Sequence, residues 1–185
     1  SIECENVKIG KYSKIGNNVK IKCKELIIGD HLYMADNVEI GRGGCTNPES
    51  IVKIGNGVGI FEDTIINPNS SVEIGDNTGI GAEVMIWTHG AWLDITQGFP
   101  SDFGPVKIGD NVVVGINSII NRSLPNGCLA VGAPCKVIKE NMYPKKLSDE
   151  QITEMIETII SDWLLLAKAK GVTRTMDISY ENSKI

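Results

Sequence analysis

The stretch Val72-Glu73-Ile74-Gly75-Asp76-Asn77-Thr78-Gly79-Ile80-Gly81-Ala82-Glu83-Val84-Met85-Ile86 decides the fold. Ile74, Ile80 and Ile86 recur six residues apart, and Gly follows the first two. Thr78 and Val84, small or β-branched, stand four residues after an aliphatic. Such a period matches neither the roughly 3.6 residues of a helical turn nor the alternation of a simple strand. It fits a triangular coil of three short strands, with the aliphatic in the lumen and Gly or Asn at each corner. Both residues tolerate the positive φ that a corner demands.

The same phase extends in both directions. Toward the N-terminus it gives Ile54-Gly55, Ile60 and Ile66, then Ile28-Gly29, Met34-Ala35 and Ile40-Gly41, then Ile9-Gly10, Ile15-Gly16 and Ile21. Toward the C-terminus it gives Ile108-Gly109, Val114-Gly115 and Ile120. A coil of this kind has little core alone and is stabilised by its stacked neighbours. An antiparallel sandwich has no reason to hold a six-residue phase through coil after coil. The sequence therefore predicts an all-β, parallel β-helix domain of about five coils over residues 1–140.

Residues 141–185 read differently. Ser148 is a good N-cap, with Asp149 and Glu150 in the first turn and Gln151 completing a capping box. Ile152, Met155, Ile156, Ile159, Ile160, Trp163, Leu164 and Ala167 follow helical spacing, and Gly171 is a stop. An amphipathic α-helix of about 22 residues is expected. It would pack on the β-helix or on a second copy, and the tail from Val172 to Ile185 pairs as a strand or stays without fixed structure.

Composition narrows the function. The chain has 185 residues, 42% hydrophobic, and a formal net charge of −5, which disfavours nucleic acid or an anionic membrane as partner. No apolar run is long enough to span a bilayer, and no signal peptide is visible, so a cytoplasmic location is expected. Five cysteines, Cys4, Cys23, Cys45, Cys128 and Cys135, without a C-x-x-C pair, suit free thiols better than a disulfide framework or a zinc site.

Two segments interrupt the repeat, and interruptions of a solenoid are where function concentrates. Arg42 to Lys53 is a modest one, either a tolerated insertion or part of an acceptor site. The second, from Trp87 to Lys107, carries two of the three tryptophans and two of the three phenylalanines. Trp87, Trp92 and Phe103 suit stacking on a sugar ring, or packing on a neighbour's wall. His89 opens this loop and is one of only two histidines. Imidazole titrates near neutrality, which is what removing a proton from a hydroxyl requires. His31 sits at an ordinary corner and reads as a solvated turn residue. Two histidines also leave too few ligands for a three-histidine zinc site, so no metal is expected.

The repeat resembles that of the hexapeptide-repeat acyltransferases over residues 7–140, and most of all the maltose and galactoside type of sugar O-acetyltransferase. That resemblance implies a left-handed parallel β-helix, an exception to the usual right-handed crossover. It also implies a homotrimer with acetyl-CoA held between subunits. Thr88-His89-Gly90 resembles the placement of the family's catalytic base, so the resemblance makes His89 the general base. The closing run Val131-Gly132-Ala133-Pro134-Cys135-Lys136 resembles the family's cofactor turn. By the same resemblance Gly115, Ala133 and Pro134 contact the cofactor, Lys136 partners a phosphate, and Lys139 adds a second charge.

Three departures accompany it. About one coil fewer separates the loop from the closing turn, Val113 stands where many relatives have Trp, and the family's acceptor-holding Asn and Asp fall on Phe61 and Asn69. Glu62 and Asp63 are nearby carboxylates that could orient His89 or hold the acceptor. N-acylation of an amino sugar, or a non-catalytic scaffold, remain the alternatives to O-acetylation.

Overall fold

A computed structural model of the chain describes residues 1–42, 48–90, 94–99 and 104–171. The chain divides into two compact units, Ser1–Pro144 and Lys145–Ile185.

The first unit is a solenoid whose three faces are parallel sheets of very short strands. Face I stacks Asn6–Ile9, Glu25–Ile28, Ile51–Ile54, Val72–Ile74 and Val106–Ile108. Face II stacks Lys14–Ile15, Tyr33–Met34, Gly59–Ile60, Gly79–Ile80, Val113–Val114 and Leu129–Val131. An antiparallel strand, Lys136–Lys139, closes that face. Face III stacks Ile2–Glu3, Lys20–Lys22, Glu39–Ile40, Ile65–Asn67, Met85–Trp87 and Ile119–Ile120. The chain runs from face I to II to III and back to I, so there are three kinds of corner.

The aliphatics of the six-residue phase form three in-register ladders. On face III the ladder is Ile2, Ile21, Ile40, Ile66, Ile86 and Ile120. On face I it is Ile9, Ile28, Ile54, Ile74 and Ile108, extended by a bridge to Leu124. Ile28, Ile60, Ile66, Ile80, Ile86 and Ile108 are fully buried. Each such side chain contributes about 1.5–3 kcal/mol of hydrophobic stabilisation. Ile9 and Ile15, on the first coil, stay partly exposed, and among the described residues no strand pairs with theirs on the other side. The small positions also point inward, and their hydroxyls are bonded to corner carbonyls. Thr78 Oγ1 donates to Gly109 O at 2.9 Å and Ser118 Oγ to Gly115 O at 2.8 Å.

The corners differ from the sequence expectation in one respect. Except at Gly41, the Gly after each aliphatic of the six-residue phase is not the residue with positive φ. That conformation falls two residues later, on Tyr12, His31, Asn77 and Asn111 at one corner and on Asn18, Asn37, Asp63, Glu83 and Asn117 at another. The glycine is required by close approach instead. A Cβ on Gly29 would lie 2.6 Å from Asn56 Oδ1 and 2.8 Å from the carbonyl carbon of Gly55 in the next coil. The residue after that glycine supplies a side-chain ladder between coils. Lys11 N donates to Asp30 Oδ1 (2.7 Å), Asp30 N to Asn56 Oδ1 (2.9 Å), Asn56 N to Asp76 Oδ1 (2.7 Å), and Asp76 N to Asp110 Oδ1 (2.8 Å).

The second unit holds one helix, α1, Asp149–Ala169. Ser148 caps it through the full capping box, with Gln151 N donating to Ser148 Oγ at 3.3 Å and Ser148 N to Gln151 Oε1 at 3.0 Å. Gly171, at φ 71, ends it as the sequence predicts. The tail from Val172 to Ile185 lies outside the described residues. No described helix is long and apolar enough to cross a membrane.

Candidate active site

Both interruptions of the repeat leave from the same corner, where face III returns to face I. One follows Arg42 and the other follows Trp87. The sequence places Asn67 to Ser70 at that corner in the coil between them, and hydrogen bonds join the three levels. Asn67 Nδ2 donates to Arg42 O at 3.0 Å, reaching the lower interruption. Thr88 Oγ1 donates to Asn67 O at 2.9 Å and accepts from Ser70 N at 2.9 Å, reaching the upper one. Gly104 N then donates to Thr88 O at 3.0 Å, pinching the neck of the long loop. Thr88 is buried, so these bonds are shielded from water and expensive to lose.

His89 emerges just beyond this clamp. It is half-buried, its Nδ1 is enclosed, and its ring meets Trp87 edge-on at 5.8 Å between centroids. The T-shaped contact fixes the imidazole plane against an indole that is itself carried by the last strand before the loop. Within the loop, Asp94 accepts from Thr96 Oγ1 at 2.7 Å, Thr96 N at 2.9 Å and Gln97 Nε2 at 3.2 Å, organising the short 3-10 turn Ile95–Gln97. The Thr96 hydroxyl, then its backbone N–H, hold the Asp94 carboxyl below the ordinary carboxylate range. Trp92 and Phe103, expected to contact substrate, lie outside the described residues, as does Cys45.

Asp63 is not brought to this corner. It is exposed at the corner between faces II and III, at φ 58, before the strand Ile65–Asn67. Ile65–Asn67 pairs in register with Met85–Trp87, so Asp63 sits at the level of Glu83, six residues short of His89. Phe61 shares that other corner and leans on Tyr33, with ring centroids 5.8 Å apart. His31 is likewise a corner residue, stacked on Tyr12 at 5.1 Å.

The residues of the expected cofactor turn do come together, also at the corner between faces II and III. Gly115 N donates to Ala130 O at 2.9 Å, and a Cβ on Gly115 would strike Val131 Cγ1 at 2.7 Å. Gly132 N donates to Ser118 Oγ at 3.0 Å, Ile119 N to Gly132 O at 3.0 Å, and Cys135 N to Ile119 O at 2.7 Å. These bonds seat Ala133 and Pro134 on the last coil with exposed side chains, and Lys136 and Lys139 follow on the exposed closing strand. Cys128 is fully buried in the lumen, and burial first, then Glu140, raises its thiol pKa. It is poorly suited to attack anything.

Asn67 is a residue that sequence reasoning did not single out. It is 1% exposed, it joins the two interruptions, and its Oδ1 is enclosed without a hydrogen-bond partner among the described residues. The signal was present in the six-residue phase, which sets Asn67 directly beneath Trp87. Among the described residues, no group of three or more His, Cys, Asp or Glu is arranged to hold a metal ion.

The solved structures of similar shape share this architecture. A hexapeptide transferase family protein from Anaplasma phagocytophilum superposes with a TM-score of 0.53, covering 89% of this chain and 81% of that one at 17% identity. The chain has the left-handed β-helix of the hexapeptide-repeat transferases. An N-acyltransferase variant from Bacillus cereus, in complex with dTDP-4-amino-4,6-dideoxyglucose and coenzyme A, matches this hexapeptide-repeat chain with a TM-score of 0.50 at 17% identity, over 85% and 91% of the two chains. In sequence, galactoside O-acetyltransferase of Escherichia coli is 49% identical over 35 residues, which is 19% of this chain and 17% of the relative's length. No family model matches the chain.

Proposed function

We propose that this hexapeptide-repeat chain is an acetyl-CoA-dependent O-acetyltransferase that acts on a sugar or polysaccharide-precursor hydroxyl. The observation that carries the reading is the clamped loop at the corner between faces III and I, which presents His89 against Trp87 on a fold shared with transferases. His89 removes the acceptor proton as the hydroxyl oxygen attacks the thioester carbonyl. The C–S bond then breaks, and the imidazolium returns the proton to the departing coenzyme A sulfur. Acyl transfer is direct. Trp87, with Trp92 and Phe103 from the same loop, supplies apolar surface for the acceptor.

Gly115, Ala133 and Pro134 offer the cofactor a small-residue turn, and Lys136 and Lys139 place two exposed cations on the strand beside it for its phosphates. Within one chain the His89 loop and this turn occupy different corners, at opposite ends of the face III strands. A site using both is completed when one copy's His89 corner meets a second copy's cofactor corner, which supports a homotrimer closed by threefold symmetry. Light scattering at micromolar protein is expected to give three times the chain mass, and a stable monomer would remove this element of the reading.

Calorimetric titration of acetyl-CoA into the wild type and His89→Ala is the primary test. Saturable binding to both is expected, with turnover of an accepted sugar lowered about 10²–10⁴-fold in the variant. An acceptor panel containing both hydroxyl and amino sugars separates O- from N-acylation, the second reading that the Bacillus cereus structure favours. Absence of binding at millimolar acetyl-CoA would leave the chain a scaffold.

A further inference from the structure

Two thiols meet at the first coil of the solenoid. The strand Ile2–Glu3 pairs in parallel with Lys20–Lys22, Ile2 opposite Ile21 and Glu3 opposite Lys22. The next step of that register sets Cys4 opposite Cys23, and Cys23 N donates to Glu3 O at 3.3 Å. The two Sγ atoms lie 3.4 Å apart in a thiol–thiol contact. Directly opposed residues on neighbouring strands are about 4.8 Å apart at Cα, inside the window of roughly 4.4–6.8 Å that a disulfide spans. Closing the sulfurs to bonding distance takes roughly 1.4 Å.

We infer that Cys4 and Cys23 form a reversible cross-coil disulfide, with a low-molecular-weight disulfide such as oxidised glutathione as the oxidant. Their unequal exposure sets the order of events. Cys4 is half-buried and reachable from solvent, whereas Cys23 is 4% exposed. The Cys4 thiolate attacks one sulfur of the small disulfide, breaking its S–S bond and releasing one thiol. Cys23 then loses its proton and attacks the Cys4 sulfur of the mixed disulfide, releasing the second small thiol. Two protein thiols are oxidised, and one small disulfide is reduced to two thiols.

Burial raises the thiols of Cys128 and Cys135, near the other end of the lumen, and a raised pKa depletes the thiolate needed for exchange. The cross-link ties together two very short strands of face III, Ile2–Glu3 and Lys20–Lys22. The first strand's ties to the second coil include Ser1 N to Val19 O at 2.8 Å and Ile21 N to Ser1 O at 2.9 Å. Strands this short open locally in the reduced protein, and the disulfide holds them closed.

The test treats the full chain with excess oxidised glutathione under native conditions and reads intact mass, a peptide map and amide exchange. The expected product has lost about 2 Da, carries no glutathione, and links the Cys4 peptide to the Cys23 peptide. The amides of Ile21 and Cys23 should exchange more slowly after oxidation and recover their former rates with reductant. Cys23→Ser should stop at a stable glutathione adduct on Cys4, and Cys4→Ser should leave Cys23 unmodified. A wild-type protein that retains a glutathione adduct, links any other pair, or stays fully reduced would overturn the inference, and none of these wild-type readings depends on how the variants fold.

Discussion

Gly29→Ala and Gly79→Ala make the same chemical change in the same kind of coil, and the structure gives them opposite signs. At Gly29 the new methyl would stand 2.6 Å from Asn56 Oδ1 and 2.8 Å from the Gly55 carbonyl carbon. Ordinary contact begins near 3.4 Å, so two neighbouring coils would have to separate by several tenths of an ångström. Overpacking against backbone costs about 1–3 kcal/mol. The bond from Asp30 N to Asn56 Oδ1, at 2.9 Å, sits at the point of collision and puts about 1 kcal/mol more at risk. A loss of about 2–4 kcal/mol is expected on those two terms. At Gly79 a Cβ meets nothing within 4 Å, and its φ is not positive. There the methyl restricts the unfolded chain and should stabilise by about 0.4–1 kcal/mol. Urea unfolding, with the slope checked for constancy, reads both changes as shifts in midpoint. Equal midpoints for the two variants, or a tolerated Gly29→Ala, would refute the argument that coil contact rather than backbone conformation selects these glycines.

Three further outcomes follow from particular contacts. Thr88→Val removes the hydroxyl that joins Asn67 O to Ser70 N, leaving two buried backbone groups unpaired, so about 1–3 kcal/mol of loop anchoring should go and limited proteolysis within residues 89–103 should accelerate. Asp36 accepts from Asn17 N at 2.7 Å, and that backbone bond, then the Asn17 side chain, holds its carboxyl below the ordinary value of 3.8. Its contribution is present above that value and lost as pH falls through the lowered one, so Asp36→Asn should flatten the acid limb of a stability–pH profile below about pH 4. Ser148→Ala breaks the capping box of α1 and should cost the helix about 1 kcal/mol, seen as reduced helical circular dichroism.

The six-residue phase was legible because it is local and repeated. Each aliphatic and each small residue is chosen by its own position on a coil, so Ile74, Ile80 and Ile86 declare their lumen places without reference to any partner. The capping box and the Gly171 stop of α1 were legible for the same reason, since every group involved lies within one helical turn of its end. The position of His89, at the mouth of the long interruption, also followed from the phase, because a broken period is as visible as a kept one.

What stacks on what was decided only by the tertiary structure. The coil-to-coil step along the Asx ladder is 19, 26, 20, 34 and then 16 residues, because the interruptions lengthen two of the turns. The phase sets Asn67 beneath Trp87, but with the step varying it does not reveal the bonds of Asn67 to Arg42 and Thr88, or the contact of Cys4 with Cys23. Nor could it separate Asp63 from His89, which the fold sets at opposite ends of the face III strands. The corners make the same point. Residue type suggested that Gly and Asn carry the positive φ, and Asn18, Asn37, Asn77, Asn111 and Asn117 do, yet Tyr12, His31 and Glu83 adopt it too, because position in the coil sets the backbone and the stacked neighbours sustain it. The glycines answer instead to an atom in the next coil, and that contact exists only once the coils are stacked.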